Sequence, residues 1–188
     1  MSSVYDGGIA KEFEMSVVDG GFHKAVQNGW VRDADVWKEF YSAGAAPFLL
    51  SGSWEEGLES WVPSGAAARA NTSGRARTGT WYVVGGASAV QSGSLTYTIP
   101  AAQAAGLVIH ASVWRRSFGG SVTARLTVQE AGGDPQTVGG STSSTTYTLL
   151  EASVAASGAA DITVTLNLVN SLSGAAGADD WVIEGKQA

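Results

Sequence analysis

The sequence predicts an all-β chain, with N-terminal β-hairpin repeats followed by a β-sandwich. Three observations carry that reading. A short Asp-containing pattern recurs three times near the start. Later segments alternate apolar and polar residues with period two. Charged residues are 15% of the chain and glycines number 25, a composition suited to sheets packed on each other and not to solvated helices.

The repeats come first. Asp6-Gly7-Gly8-Ile9-Ala10-Lys11-Glu12-Phe13 recurs as Asp19-Gly20-Gly21-Phe22-His23-Lys24-Ala25-Val26. It recurs again as Asp33-Ala34-Asp35-Val36-Trp37-Lys38-Glu39-Phe40, where Ala-Asp replaces Gly-Gly. The spacing suits one hairpin per copy, because Asp-Gly between apolar residues supplies the positive φ of a tight turn. Asp33–Tyr41 also fits a short helix by composition, but its match to the earlier copies favours a strand pair. A hairpin this small cannot bury its apolar face alone. Residues 1–41 are therefore expected to stack on each other or on another subunit, as an anchoring or assembly region.

Ser42-Ala43-Gly44-Ala45-Ala46-Pro47 reads as a linker, taken as residues 42–50. Residues 51–188 then carry short strands punctuated by Gly, Ser and Pro. The clearest are Ser94–Ile99, Leu107–Arg116, Ser121–Gln129, Thr145–Val154, Ile162–Val169 and Trp181–Glu184. Ile162, Val164, Leu166 and Leu168 share one strand face, with Thr163, Thr165 and Asn167 opposite. The alanine-rich stretch after Pro100 is too short for more than a turn.

Composition excludes several functions. A net charge of −6 and no basic patch argue against nucleic acid. There is no cysteine, so thiol catalysis and a Cys-ligated zinc site are excluded. No segment approaches the roughly 20 apolar residues of a membrane-spanning helix, and the N-terminus carries no secretory pattern. The two histidines, His23 and His110, fall in different modules, and no serine stands in a nucleophile-elbow motif. Glu55, Glu56 and Glu59 cluster, but three acids at one strand start are not a glycosidase pair, which needs carboxylates facing across a cleft. The chain reads as a non-enzyme.

Gly52-Ser53-Trp54-Glu55-Glu56-Gly57-Leu58-Glu59-Ser60-Trp61, the strand around Val113-Trp114-Arg115 and the closing Asp179-Asp180-Trp181-Val182-Ile183 resemble the carbohydrate-binding jelly-roll modules appended to glycoside hydrolases. The resemblance implies a jelly-roll sandwich. It also implies a structural Ca2+ between Glu55 in the first strand and Asp179 in the last, since hard cations take oxygen ligands from sequence-distant positions. The hairpin repeat resembles segments of tail-tip, fibre and other appendage proteins of tailed bacteriophages.

One strand is a candidate ligand face. Leu107, Ile109, Ala111 and Val113 point one way, toward a core. His110, Trp114 and Arg116 point the other, and an indole beside hydrogen-bonding side chains is a usual sugar platform. Trp54, Trp61, Trp81 and Trp181 read as core and sandwich-edge plugs, and Arg75 and Arg77 as a solvated pair in a Gly/Ser loop. The expectation is a virion structural protein of a tailed phage, in the tail tip, fibre or head decoration. It would be a homo-oligomer, with a trimer as the guess. Its jelly roll would be exposed, with a host-surface glycan as candidate ligand. The alternatives are a ligand-free capsid cement protein and a carbohydrate-binding module of a polysaccharide-degrading bacterium.

Overall fold

The computed structural model describes the backbone of residues 16–19, 22–25, 28–33 and 36–42, and residues 45–187 in full. The chain divides into two units at Gly44/Ala45.

In the first unit, β1 (Ser16–Asp19) pairs antiparallel with β2 (Phe22–Ala25), and Asp19 stands opposite Phe22. That register leaves Gly20-Gly21 as the two-residue connection of the second repeat copy. β3 (Asn28–Asp33) pairs with β4 (Val36–Ser42) in the same way, with Asp33 opposite Val36 across Ala34-Asp35. The third copy is thus a strand pair and not a helix. The first copy, from Asp6 to Phe13, lies outside the described residues.

The second unit is a β-sandwich of the jelly-roll class. Its strands are β5 (Phe48–Gly52), β6 (Val62–Gly65), β7 (Ala68–Ala70), β8 (Tyr82–Val84), β9 (Ser92–Ile99), β10 (Leu107–Ser117), β11 (Val122–Glu130), β12 (Gln136–Thr142), β13 (Thr148–Ala155), β14 (Ile162–Val169) and β15 (Ala176–Gln187). A single helical turn, α1 (Ala101–Ala104), follows Pro100. One sheet runs β13-β10-β15-β8-β7, with β5 also on β15. The other runs β12-β11-β14-β9-β6. Residues 48–50, expected within the linker, belong to β5 and pair with Gly185, Glu184 and Ile183 of the last strand.

The core lies between the sheets, and the period-two pattern explains which residues enter it. Leu107, Ile109, Ala111 and Val113 of β10 face Val122, Ala124, Leu126 and Val128 of β11 and the four apolar residues of β14, all buried. Trp54, Trp61 and Trp181 close one side, with ring centroids 6.3 Å apart for Trp54–Trp61 and 5.5 Å for Trp61–Trp181, both edge-to-face. That geometry sets the positive edge of one indole against the negative face of the next. Because β10 is flanked by β13 and β15 and gives its odd-numbered residues to the core, its even-numbered residues form an open outer face.

Candidate binding groove and its arginine rim

That outer face carries a groove of about 460 Å3. His110 sits between Ser153 of β13 and Glu184 of β15, and Ser112 sits between Glu151 and Val182. Directly opposed side chains on neighbouring strands are about 5 Å apart, so these form one continuous surface. β12 belongs to the other sheet but packs beside β13, and Gln136, Thr137 and Val138 make the groove's wall. The lining is mostly hydrogen-bonding in character and contains no Phe, Tyr or Trp. Glu184 also holds the Lys186 ammonium.

Further along the same face, strand β15 bulges. Val113 pairs with Trp181 but Trp114 pairs with Asp179, which leaves Asp180 as the extra residue. Asp180 has φ +44°, a left-handed value that Asp tolerates better than most residues. The bulge sends two adjacent carboxylates different ways. Asp179 is fully buried. Its Oδ2 accepts the backbone N–H groups of Arg77 (2.6 Å) and Thr78 (3.2 Å), and its Oδ1 that of Asp180 (2.8 Å). Asp180 turns outward and binds the Arg77 guanidinium and the Thr78 hydroxyl. Burial pushes the Asp179 carboxyl up to about 6, against the pull of its three N–H donors.

Glu55 anchors the same loop from the other side. Its Oε1 accepts the N–H groups of Thr80 (2.9 Å) and Trp81 (2.7 Å). Gly79, just before them, has φ +61°, and a Cβ there would stand 2.5 Å from the Glu55 carboxylate. Glu55 and Asp179, paired in the sequence reading as Ca2+ ligands, therefore grip neighbouring parts of one loop through amide hydrogens. Among the described residues no group of three or more His, Cys, Asp or Glu side chains converges as a metal site.

The three residues singled out on β10 take different places. His110 lines the groove. Trp114 lies under the Arg77 guanidinium, 4.0 Å from ring centroid to Cζ. Arg116 stands over Phe118 and Tyr147 at 4.9 and 5.2 Å. Arg75 and Arg77 do more than face solvent, although Arg77 stays exposed. Each guanidinium rests on an aromatic ring, Arg75 on Phe118 and Arg77 on Trp114. Trp81 is likewise half-buried beneath Arg69, 4.2 Å away, and is not a core plug.

Glu151, Ser153, Glu184 and Gln136 are groove residues that sequence reasoning did not single out. The outward positions of β13 and β15 follow from period two once their register against β10 is known. The register is not written locally in either strand.

No protein-family model matches the chain, and no curated protein matches it. Solved structures share its fold. TmCBM61, solved in complex with β-1,4-galactotriose, superposes with a TM-score of 0.58 at 18% identity, covering 71% of this chain and 94% of that one. The CBM22-1 xylan-binding domain of Paenibacillus barcinonensis Xyn10C superposes with a TM-score of 0.56 at 16% identity, covering 78% and 99%. A tailspike domain of bacteriophage CBA120 reaches a TM-score of 0.47 over 20% of its length, too distant to carry an argument.

Proposed function

We propose that residues 45–188 are a non-catalytic carbohydrate-binding domain that lays a glycan segment in the groove centred on His110 and Ser112. The observation that carries this reading is the open, polar groove on the outer sheet face, in a fold shared with modules described as galactotriose-bound and xylan-binding. Sugar hydroxyls are both donors and acceptors. Carboxylates Glu151 and Glu184, the Ser112 and Ser153 hydroxyls and the His110 imidazole offer both complements. With no Phe, Tyr or Trp in the lining, stacking contributes little and each site binds weakly. Binding is the role and hydrolysis is not: Glu151 and Glu184 stand on an open face without the enclosed, dry setting that tunes a carboxyl for acid catalysis.

Calorimetric titration with β-1,4-galactotriose and with xylooligosaccharides tests the reading, using wild type and a Ser112→Trp variant that fills the groove. Binding to at least one that disappears in the variant, at unchanged melting temperature, supports it. Binding that survives a filled groove sinks it.

A second reading concerns where the domain is displayed. The antiparallel pairs β1–β2 and β3–β4 support the hairpin repeat as an attachment element, as in a tailed-phage appendage or head decoration built from several copies. Several weak sugar sites would then act by avidity. Light scattering on the full chain and on a chain starting at Ala45 decides it. A trimer or larger that becomes a monomer on truncation supports assembly through the hairpins, and two monomers remove it.

A further inference from the structure

Two arginines share one aromatic ring at the end of the sheet face opposite the groove. The Cζ atoms of Arg75 and Arg116 both lie 4.9 Å from the Phe118 centroid. Arg116 is also 5.2 Å from the Tyr147 ring. Gly177 makes room for the platform, since a Cβ there would meet the Phe118 ring at 2.1 Å. The Tyr147 hydroxyl donates to the Arg75 carbonyl at 2.8 Å, which fastens the 75–81 loop to the β13 edge. The ring stack is therefore built by four separate chain segments and is not a chance contact of one loop.

Its charge is unbalanced. The ion pairs among the described residues are Arg77–Asp180 and Lys186–Glu184, and neither includes Arg75 or Arg116. The other nearby acid, Asp179, is buried with its oxygens turned to backbone amides. Two guanidinium groups on one ring repel each other, and a partly exposed π face offsets only a fraction of that. Of the Arg116 guanidinium nitrogens, only Nε is shut away without a partner. The Nη edge of the planar fork remains, the edge that matches a carboxylate.

We infer that Arg75 and Arg116 form a subsite for a carboxylate borne on a sugar. The inference deepens the glycan-binding reading and rests on it for the source of the carboxylate. His110 and Arg116 lie on one face of β10, six residues and so roughly 20 Å apart. One end of that face carries Glu151 beside the Glu184–Lys186 pair, the other Arg75 and Arg116 beside the Arg77–Asp180 pair. An acidic sugar is disfavoured beside Glu151 and held by Arg75 and Arg116. A glycan lying along β10 is therefore oriented, and acid-bearing chains are selected over neutral ones.

The test compares xylohexaose with the same oligosaccharide carrying one glucuronate branch, by calorimetry, alongside NMR titration of free glucuronate against Arg75 and Arg116 side-chain signals. The branched chain is expected to bind about tenfold tighter, the affinity gained from one charge-assisted pair. The preference should shrink in high salt and vanish in an Arg75→Gln/Arg116→Gln variant that still binds xylohexaose. Arg125→Gln, which removes an exposed charge on β11, should leave it intact. Glucuronate should give saturable shifts at both arginines. Equal affinity for the two oligosaccharides, or glucuronate that moves neither arginine, overturns the subsite. If neither oligosaccharide binds while glucuronate still saturates both signals, the groove reading falls and the carboxylate subsite stands. If the double variant does not fold, the wild-type titrations decide.

Discussion

The Arg77 guanidinium rests 4.0 Å above the Trp114 ring while Asp180 holds its outer edge. One face of the indole on β10 is thus occupied by the protein's own cation, and that cation is fixed by the residue that the β15 bulge turns outward. Arg77→Ala removes the ring contact and leaves Asp180 without its cation. The expected loss is roughly 1–2 kcal/mol in urea unfolding, the sum of a partly exposed cation–π contact and a charge-assisted bond. Arg77→Lys should recover little of it, because an ammonium lacks the flat fork that stacks and binds at once.

Trp114 itself separates packing from ligand contact. With one ring face covered, Trp114→Ala should lower stability and leave affinity for neutral oligosaccharides within about twofold, below the tenfold step of one good contact. A larger loss of affinity at intact fold, measured by the same calorimetric titration, would place the indole in contact with sugar.

Asp179 sets a pH dependence with a definite sign. Its folded carboxyl titrates at about 6, above the 3.8 of the unfolded chain, because burial disfavours the anion. The folded protein therefore binds the extra proton. This contribution to stability is fully present below the unfolded value and is lost as pH rises through about 6. The melting temperature of the wild type should rise relative to Asp179→Asn on going from about pH 8 to about pH 5. A difference between the two proteins that stays constant over that range would contradict the assignment.

What the sequence made legible follows from where side chains alternate. β9, β10, β11, β13 and β14 carry clear period-two apolar faces and match strands expected from pattern. Only Trp181–Glu184 of the longer β15 (Ala176–Gln187) was expected, because the first four residues of β15 are buried in a row. β6, β7 and β12 carry no clear apolar face. Val62-Pro63-Ser64-Gly65, Ala68-Arg69-Ala70 and a β12 with Gly139-Gly140 at its centre bury little, and their hydrogen bonds to a neighbouring strand define them. β5 escaped notice for a related reason: it alternates between half-buried and exposed residues, so it lacks a strong apolar face. The arginine–aromatic stacks were the least legible part. Arg77 meets Trp114 and Arg75 meets Phe118 across loops that composition alone marks as polar, and only the β15 bulge and the Gly177 gap explain why those rings are there to be met.

The Ca2+ expectation for Glu55 and Asp179 has a direct check. A bound Ca2+ takes about six to eight oxygen ligands. Here amide hydrogens of the 77–81 loop already point at both carboxylates, and a cation at those oxygens would face their positive ends. The melting temperature should therefore be the same in calcium and in a chelator. A fall of several degrees on chelation would mean that a cation is the actual tie between the first and last segments, and that the amides turn away to admit it.

Two leucines on neighbouring stretches of chain should respond very differently to truncation. Leu166 is fully buried, paired across β14 with Leu126 on one side and Leu95 on the other. Leu172 is 85% exposed in the turn between β14 and β15. Leu166→Ala removes methyl groups from the tight middle of the sandwich and leaves a cavity that paired strands cannot close. The expected cost is about 2–5 kcal/mol in urea unfolding. Leu172→Ala takes away surface already in water and should change stability by no more than about 0.5 kcal/mol. If Leu172→Ala also lowers the mass seen by light scattering, that exposed turn belongs to an interface between copies of the chain. If the mass is unchanged, the side chain is free in solution and the cost stays near zero.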